Sequence, residues 1–174
     1  MTPRAVIIGP PGSGKSTVGP ALAARLGLAF RDTDDDIVAS AGKPITDIFT
    51  EEGEPAFRAL EEEVVAKALA EHDGVLSLGG GAPITPGTRE RLARHTVVFL
   101  NVGMAAGVQR AGLSTARPLL AGVNPRATYK SLLDARLPVY REVATIEIDT
   151  DRLTADEVVE AAVIGLHEIS KERA

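Results

Sequence analysis

The stretch Gly9-Pro-Pro-Gly12-Ser-Gly14-Lys15-Ser16 constrains this chain more than any other. It follows the apolar run Ala5-Val-Ile-Ile8 and precedes Thr17–Leu26, which reads as a helix. A strand, a glycine-rich turn and a helix with the spacing G-x-x-x-x-G-K-[ST] make a phosphate-binding P-loop. The glycines let backbone N–H groups turn inward on phosphate oxygens, and the dipole of the following helix adds to their attraction. Lys15 is placed to reach the β- and γ-phosphates, and the Ser16 hydroxyl to ligate Mg²⁺. A plain Gly-rich turn capping a helix is the simpler reading, and the flanking strand and helix weigh against it. The expectation is a protein that binds a nucleoside triphosphate.

Beyond the loop, apolar runs of strand length alternate with helical periodicity, which predicts a parallel sheet with crossover helices. Ala5–Ile8, Val75–Leu78 and Thr96–Val102 are the clear strands, nearly all apolar as befits a sheet covered on both faces. Ala29–Arg31 and Thr145–Ile148 are shorter and weaker. At 174 residues, with no internal repeat and no break in composition, the chain reads as a single domain, 1–174. No run approaches the roughly 18 apolar residues of a membrane span. Nineteen basic against 24 acidic residues give −5, which argues against nucleic acid or an anionic membrane as partner. The absence of cysteine excludes disulfides, thiolate metal sites and thiol nucleophiles. The N-terminus carries no signal-peptide pattern, so a cytoplasmic location is expected, and nothing demands a dimer, so a monomer is.

Several helices announce their starts. Thr154-Ala-Asp-Glu157 is a capping box ahead of an amphipathic segment. Thr85-Pro86 opens a helix to about Arg94 with Pro at its first position. In a helix from about Glu54 to Glu71, Phe57, Leu60, Val64, Val65, Ala68 and Leu69 line one face, with Glu61, Glu62, Glu63 and Lys67 assigned to the other. Pro20 falls inside the helix after the P-loop, where a kink or an irregular start is expected.

A P-loop alone does not separate a switch, a motor and a small-molecule kinase. The acid that usually ends a strand beside the P-loop strand is missing, since Val75–Leu78 runs into Gly79-Gly80-Gly81. The nearest carboxylates after a strand lie in Phe30-Arg31-Asp32-Thr33-Asp34-Asp35-Asp36. If that strand lies beside the first, Asp32 and Asp34 emerge at the P-loop edge of the sheet. As alternate residues of an extended segment they would share a face. The plainer role, acids favouring a helix dipole, is the one preferred for Asp35 and Asp36. Arg58 could be a surface ion pair with Glu61 or Glu62. Arg136 precedes Leu137-Pro138, where a helix from about Pro125 is expected to end or kink. Arg117 lies in an aperiodic stretch from Gly112 to Gly122, whose length suits a lid that excludes water from a transferring phosphate.

Taken together these pieces resemble the shikimate kinases, from Arg4 to about Arg152. The resemblance rests on Gly9–Thr17, Asp32-Thr33-Asp34, Asp47-Ile48-Phe49, Glu54, Phe57-Arg58, Glu61, Leu78–Gly81, Arg117-Pro118-Leu119-Leu120 and Arg136-x-x-x-Tyr140. It implies an α/β fold of the nucleoside monophosphate kinase type: a five-stranded parallel sheet with helices on both faces, an acceptor subregion at about 33–61 and a lid at about 112–124. The implied reaction transfers the γ-phosphoryl group of ATP to the 3-hydroxyl of shikimate, on the route to chorismate and the aromatic amino acids, with Mg²⁺ as cofactor. On that resemblance Gly12, Ser13, Gly14, Lys15, Ser16 and Thr17 hold phosphates; Ser16 ligates Mg²⁺ directly and Asp32 through water. Asp34 accepts a hydrogen bond from the attacking hydroxyl. Arg58 and Arg136 clamp the carboxylate, with Gly79, Gly80, Gly81, Phe49, Phe57, Glu61, Pro118 and Leu119 around the ring. Arg117 approaches the phosphates, Arg110 lies along the adenine, and Arg152 is the candidate for a further base contact.

A small, polyhydroxylated ring acid needs a cation at one end and an acceptor for its reactive hydroxyl, and this residue set supplies both. Because the transition state is loose, Asp34 needs no unusual pKa to be useful. The rival expectations are another small P-loop kinase, acting on gluconate or a nucleoside monophosphate, and a nucleotide-binding module that has lost catalysis.

Overall fold

A computed structural model describes residues 2–112 and 125–174. The predicted lid, with Arg117, Pro118, Leu119 and Leu120, lies outside the described residues. Five parallel strands, β1 (Ala5–Ile8), β2 (Phe30–Asp32), β3 (Val75–Ser77), β4 (Val97–Asn101) and β5 (Ile146–Asp149), pair in the order β2-β3-β1-β4-β5. Among the described residues eight α-helices join or follow them: α1 (Lys15–Leu26), α2 (Thr33–Ala41), α3 (Ile45–Glu52), α4 (Glu54–Glu71), α5 (Pro86–Leu92), α6 (Met104–Gly112), α7 (Pro125–Val143) and α8 (Ala155–Arg173), of which α3 and α6 were not read from the sequence.

The alternation of β1 sorts the core into two layers. Ala5 and Ile7 face one side, where Val75, Val98 and Leu100 meet Val18 and Leu22 of α1 and Val158, Ala162 and Leu166 of α8. Val6 and Ile8 face the other, where Leu76, Val97 and Phe99 meet Val65, Ala68 and Leu69 of α4, Leu92 of α5 and Tyr140 and Val143 of α7. All four residues of β1 are fully buried, which accounts for its uninterrupted apolar sequence. A smaller cluster of Ile37, Ile48, Phe57 and Val64 ties α2 and α3 to α4. The capping box forms as read, with Glu157 N donating to Thr154 Oγ1 at 3.2 Å and Thr154 N to Glu157 Oε1 at 3.0 Å.

Four expectations need correction. First, β2 is not beside β1; β3 lies between them. The edge argument survives because Asp32, Ser77 and Ile7 stand in one row across the sheet, so the chain leaves all three strands at the same edge. Second, Asp32 and Asp34 do not share an extended segment. The strand stops at Asp32, and Asp34 lies in the first turn of α2. Third, Glu61 is not on the solvent face of α4 but 2% exposed. Fourth, α7 does not end at Arg136 but continues through Pro138 to Val143. In α1, Pro20 likewise sits within a continuous helix. Both prolines are exposed, so the carbonyl each leaves unpaired faces water, which keeps the disruption below what a buried site would suffer.

Candidate active site

The carboxyl edge of the sheet collects the loop after β1, the start of α2 and the glycine triplet after β3. In the P-loop, Gly14 takes the left-handed conformation (φ 94°) and α1 starts at Lys15. Ser13 N donates to Pro10 O at 3.2 Å and Thr17 N to Gly14 O at 3.1 Å, so those two N–H groups are committed within the loop. The N–H groups of Gly12, Gly14 and Ser16 have no partner among the described residues. Lys15 is 7% exposed, and its Nζ donates to Gly9 O at 2.6 Å and Pro10 O at 3.1 Å. Arg110 of α6 reaches over the loop, with Nη1 donating to Gly12 O at 3.4 Å. Ser16 and Thr17 are exposed; Arg152 is exposed in the turn after β5.

Asp32 is the N-cap of α2, its Oδ1 accepting from Asp34 N at 2.9 Å. Thr33, fully buried, ties this corner to β3 through Oγ1, which donates to Ser77 O at 3.4 Å. Burial and the neighbouring Asp34 charge push the Asp32 carboxyl up to about 6, against the Asp34 N–H and Lys15. Asp35 and Asp36 behave as helix-start acids, with Asp36 Oδ2 also 2.7 Å from Arg31 Nε. Among the described residues no cluster of three or more His, Asp or Glu could hold a metal by itself. The donor set, one hydroxyl and crowded carboxylates at a P-loop, therefore fits a hard divalent cation that takes its remaining oxygens from phosphate and water, as Mg²⁺ does.

Charged side chains from three helices converge on the glycine triplet. A Cβ on Gly79 would lie 2.8 Å from Asp34 Oδ1 and 3.2 Å from Glu61 Oε2. On Gly80 it would lie 3.3 Å from both Arg136 Nη1 and Pro11 Cδ, and on Gly81 2.5 Å from Arg58 Nη1. The triplet thus stands back to back with the P-loop and bears Asp34, Arg136 and Arg58 on its open side, with no room for side chains. Arg58 is more than the surface ion pair its spacing allowed. Its Nη1 lies 2.8 Å from Glu61 Oε1, its Nε 3.5 Å from Glu54 Oε1, and its Cζ 5.1 Å from the Phe57 ring centroid. Phe57 in turn packs on Phe49, centroids 4.5 Å apart. Burial raises the Glu61 carboxyl and the Arg58 charge and hydrogen bond oppose it, while burial lowers the Arg136 guanidinium. A cleft of about 630 Å³ opens along Arg58, Gly81, Ile84, Leu132 and Arg136.

The structure therefore brings Lys15, Asp32, Asp34, Arg58, Glu61, Gly79–Gly81 and Arg136 to one edge of the sheet, with Phe49 and Phe57 behind Arg58. Sequence reasoning gave no role to Tyr129 or Tyr140, which are fully buried and end at this site. Tyr129 Oη donates to Pro11 O at 2.9 Å and Tyr140 Oη to Gly80 O at 2.6 Å. The signal was available: these are the chain's two tyrosines, and both fall on one helix, about three turns apart.

A family model described as shikimate kinase matches residues 11–166. A shikimate kinase of Saccharopolyspora erythraea is 67% identical over 163 residues, 94% of this chain and 93% of that one. One from Mycobacterium avium is 55% identical over 166 residues, 95% and 94% of the two chains. Among solved structures, a shikimate kinase from Acinetobacter baumannii in complex with shikimate matches with a TM-score of 0.91 and 35% identity, covering 98% of this chain and 95% of its own. A gluconokinase from Sinorhizobium meliloti, at 21% identity and a TM-score of 0.59 over 97% of this chain and 93% of its own, shares the fold alone.

Proposed function

This chain belongs to the shikimate kinase family, and we propose that it transfers the γ-phosphoryl group of ATP to the 3-hydroxyl of shikimate, giving shikimate 3-phosphate and ADP. One observation carries the reading of the acceptor: the carboxylate of Asp34 and two guanidinium groups, Arg58 and Arg136, surround three consecutive glycines beside the P-loop, with Glu61 paired to Arg58. A hydroxy acid has the complementary groups, a carboxylate for the arginines and a hydroxyl for the aspartate.

The donor half works through backbone and charge. The N–H groups of Gly12, Gly14 and Ser16 and the Ser13–Thr17 side of the loop hold the phosphates, and Lys15 exchanges the Gly9 and Pro10 carbonyls for phosphate oxygens. Arg110 and Arg152 flank the nucleotide, and Arg117, in the segment taken as lid at 112–124, neutralises the transferring group. Mg²⁺, when bound to Ser16 and through water to Asp32, supplies charge neutralisation on the phosphates. Asp34 orients the attacking hydroxyl and accepts its proton; with a loose transition state, that positioning matters more than base strength. Arg58 and Arg136 hold the carboxylate with planar, charge-assisted pairs, and Glu61 holds Arg58. Gly79–Gly81, Phe49, Phe57, Pro118 and Leu119 shape the ring pocket, in an acceptor subregion over about 33–61. No helix among the described residues is long and apolar enough to cross a membrane, and the enzyme is read as a cytoplasmic monomer.

A coupled ADP-release assay over shikimate, gluconate and nucleoside monophosphates tests the proposal. Strong stimulation by shikimate alone is expected. Stimulation by gluconate or AMP without response to shikimate would overturn it, as would ATP binding with background turnover on every acceptor.

A further inference from the structure

Tyr129 and Tyr140 lie about three turns apart on α7 and therefore on one face of it. Each hydroxyl donates to a backbone carbonyl, Tyr129 to Pro11 in the P-loop and Tyr140 to Gly80 in the glycine triplet. Each of those carbonyls shares a planar trans peptide unit with the next N–H, that of Gly12 or Gly81. In such a unit the N–H points opposite to the C=O. Drawing Pro11 O and Gly80 O toward α7 therefore turns the Gly12 and Gly81 N–H groups away from it. Neither of those N–H groups has a partner among the described residues.

We infer that Tyr129 and Tyr140 are positioning residues, Tyr129 aiming the Gly12 N–H for the nucleotide phosphates and Tyr140 aiming the Gly81 N–H for the acceptor. The acceptor half of this inference rests on the shikimate reading above; the nucleotide half does not.

The surroundings fit two pins on one rigid bar. A Cβ on Gly107 of α6 would touch the Tyr129 hydroxyl and lie 2.9 Å from Cε1, so α6 presses on that tyrosine with no side chain between. Burial raises the Tyr129 hydroxyl above its ordinary value, so it stays a proton donor. Tyr140 packs on Phe99, centroids 5.1 Å apart, which fixes its ring beside Gly80.

Phenylalanine at either position keeps the ring and removes only the hydroxyl. Binding of Mg²⁺ with a non-hydrolysable ATP analogue, and of shikimate, is measured by calorimetry for the unsubstituted protein, Tyr129→Phe and Tyr140→Phe, together with Tm. Tyr129→Phe is expected to weaken the nucleotide about tenfold, or ~1.4 kcal/mol, and leave shikimate within about twofold. Tyr140→Phe is expected to do the reverse. Both variants lose one buried hydrogen bond from the same helix, so a purely structural role lowers Tm without separating the two ligands. Equal loss of both ligands in either variant, or no loss in both variants, overturns the inference. If Tyr129→Phe does not fold, Gly107→Ala, which displaces the same hydroxyl from α6, carries the same expectation and the same refutation. Failure of the unsubstituted protein to bind shikimate would overturn the acceptor half together with the proposed function, while selective nucleotide loss in Tyr129→Phe would still support the other half.

Discussion

Gly81→Ala is the sharpest test of how the acceptor pocket is built. The residue has φ −92° and ψ −5°, a conformation open to alanine, so the backbone does not resist the change. Space does, since the new Cβ would lie 2.5 Å from Arg58 Nη1 and 2.6 Å from its Cζ. The guanidinium is the end of a flexible side chain and moves, giving up the 2.8 Å bond to Glu61 and its place over Phe57. A hydrogen bond to a charged group contributes about 1.5–3 kcal/mol. Losing one arm of the proposed carboxylate clamp should therefore raise the shikimate Kd roughly ten- to hundredfold, with the nucleotide Kd changed by less than about twofold. Calorimetric titration of each ligand reads both numbers. Displacing Arg58 also removes the cation that opposes burial at Glu61, 2% exposed, so its carboxyl rises further above the ordinary 4.5. A raised folded pKa means that the native state binds the proton more tightly than the unfolded chain. The stability is then full below the ordinary value and is lost as pH rises through the folded one. The Tm deficit of Gly81→Ala against the unsubstituted protein should widen as pH increases from about 4.5. Unchanged shikimate affinity, equal weakening of both ligands, or a deficit that narrows with pH would refute the reasoning.

Other outcomes follow from the same geometry. Asp34→Ala should lower kcat by about 10²- to 10⁴-fold while leaving ATP affinity largely intact, measured by coupled ADP release and calorimetry. Arg136→Lys should weaken shikimate about tenfold or more and spare ATP, because lysine cannot reproduce the planar fork. Chelating divalent cations should stop transfer without moving the Tm of the nucleotide-free protein, since no described acidic or His cluster holds a metal by itself. Thr154→Ala breaks the reciprocal cap of α8 and should cost about 1 kcal/mol. That is a Tm drop of about 2–4 °C at this chain length, with kcat unchanged because α8 packs on α1 and β5, beneath the sheet from the acceptor cleft.

Much of the framework was written locally. Strand β1 is recognisable as four apolar residues ending at a glycine-rich turn, and the capping box at Thr154–Glu157 closes within four residues. The glycine triplet was likewise visible, though its cause was not. Only the packed structure shows Asp34, Arg136 and Arg58 filling the space where three side chains would stand. The same limit explains the errors. Helical periodicity assigned Glu61 to solvent with its acidic neighbours, because a pattern of apolar positions carries no information about a buried ion pair. Pro138 suggested that the helix ends or kinks beside Arg136; it does not end there, because the packing of Tyr140 and Val143 on the sheet holds α7 beyond it.

The sequence by itself determined the alternation of strand-length apolar runs with helical segments, the P-loop spacing after the first strand and the cap at Thr154–Glu157. Each of those follows from short-range chemistry, since turns, caps and alternation involve residues within a few positions of one another. Tertiary structure decided the insertion of β3 between β1 and β2, the burial of Glu61 beside Arg58, and the two tyrosine bonds that tie α7 to Pro11 and Gly80. Those contacts join residues up to 118 positions apart, and the free energy that selects them comes from packing that exists only once the sheet has closed its two layers.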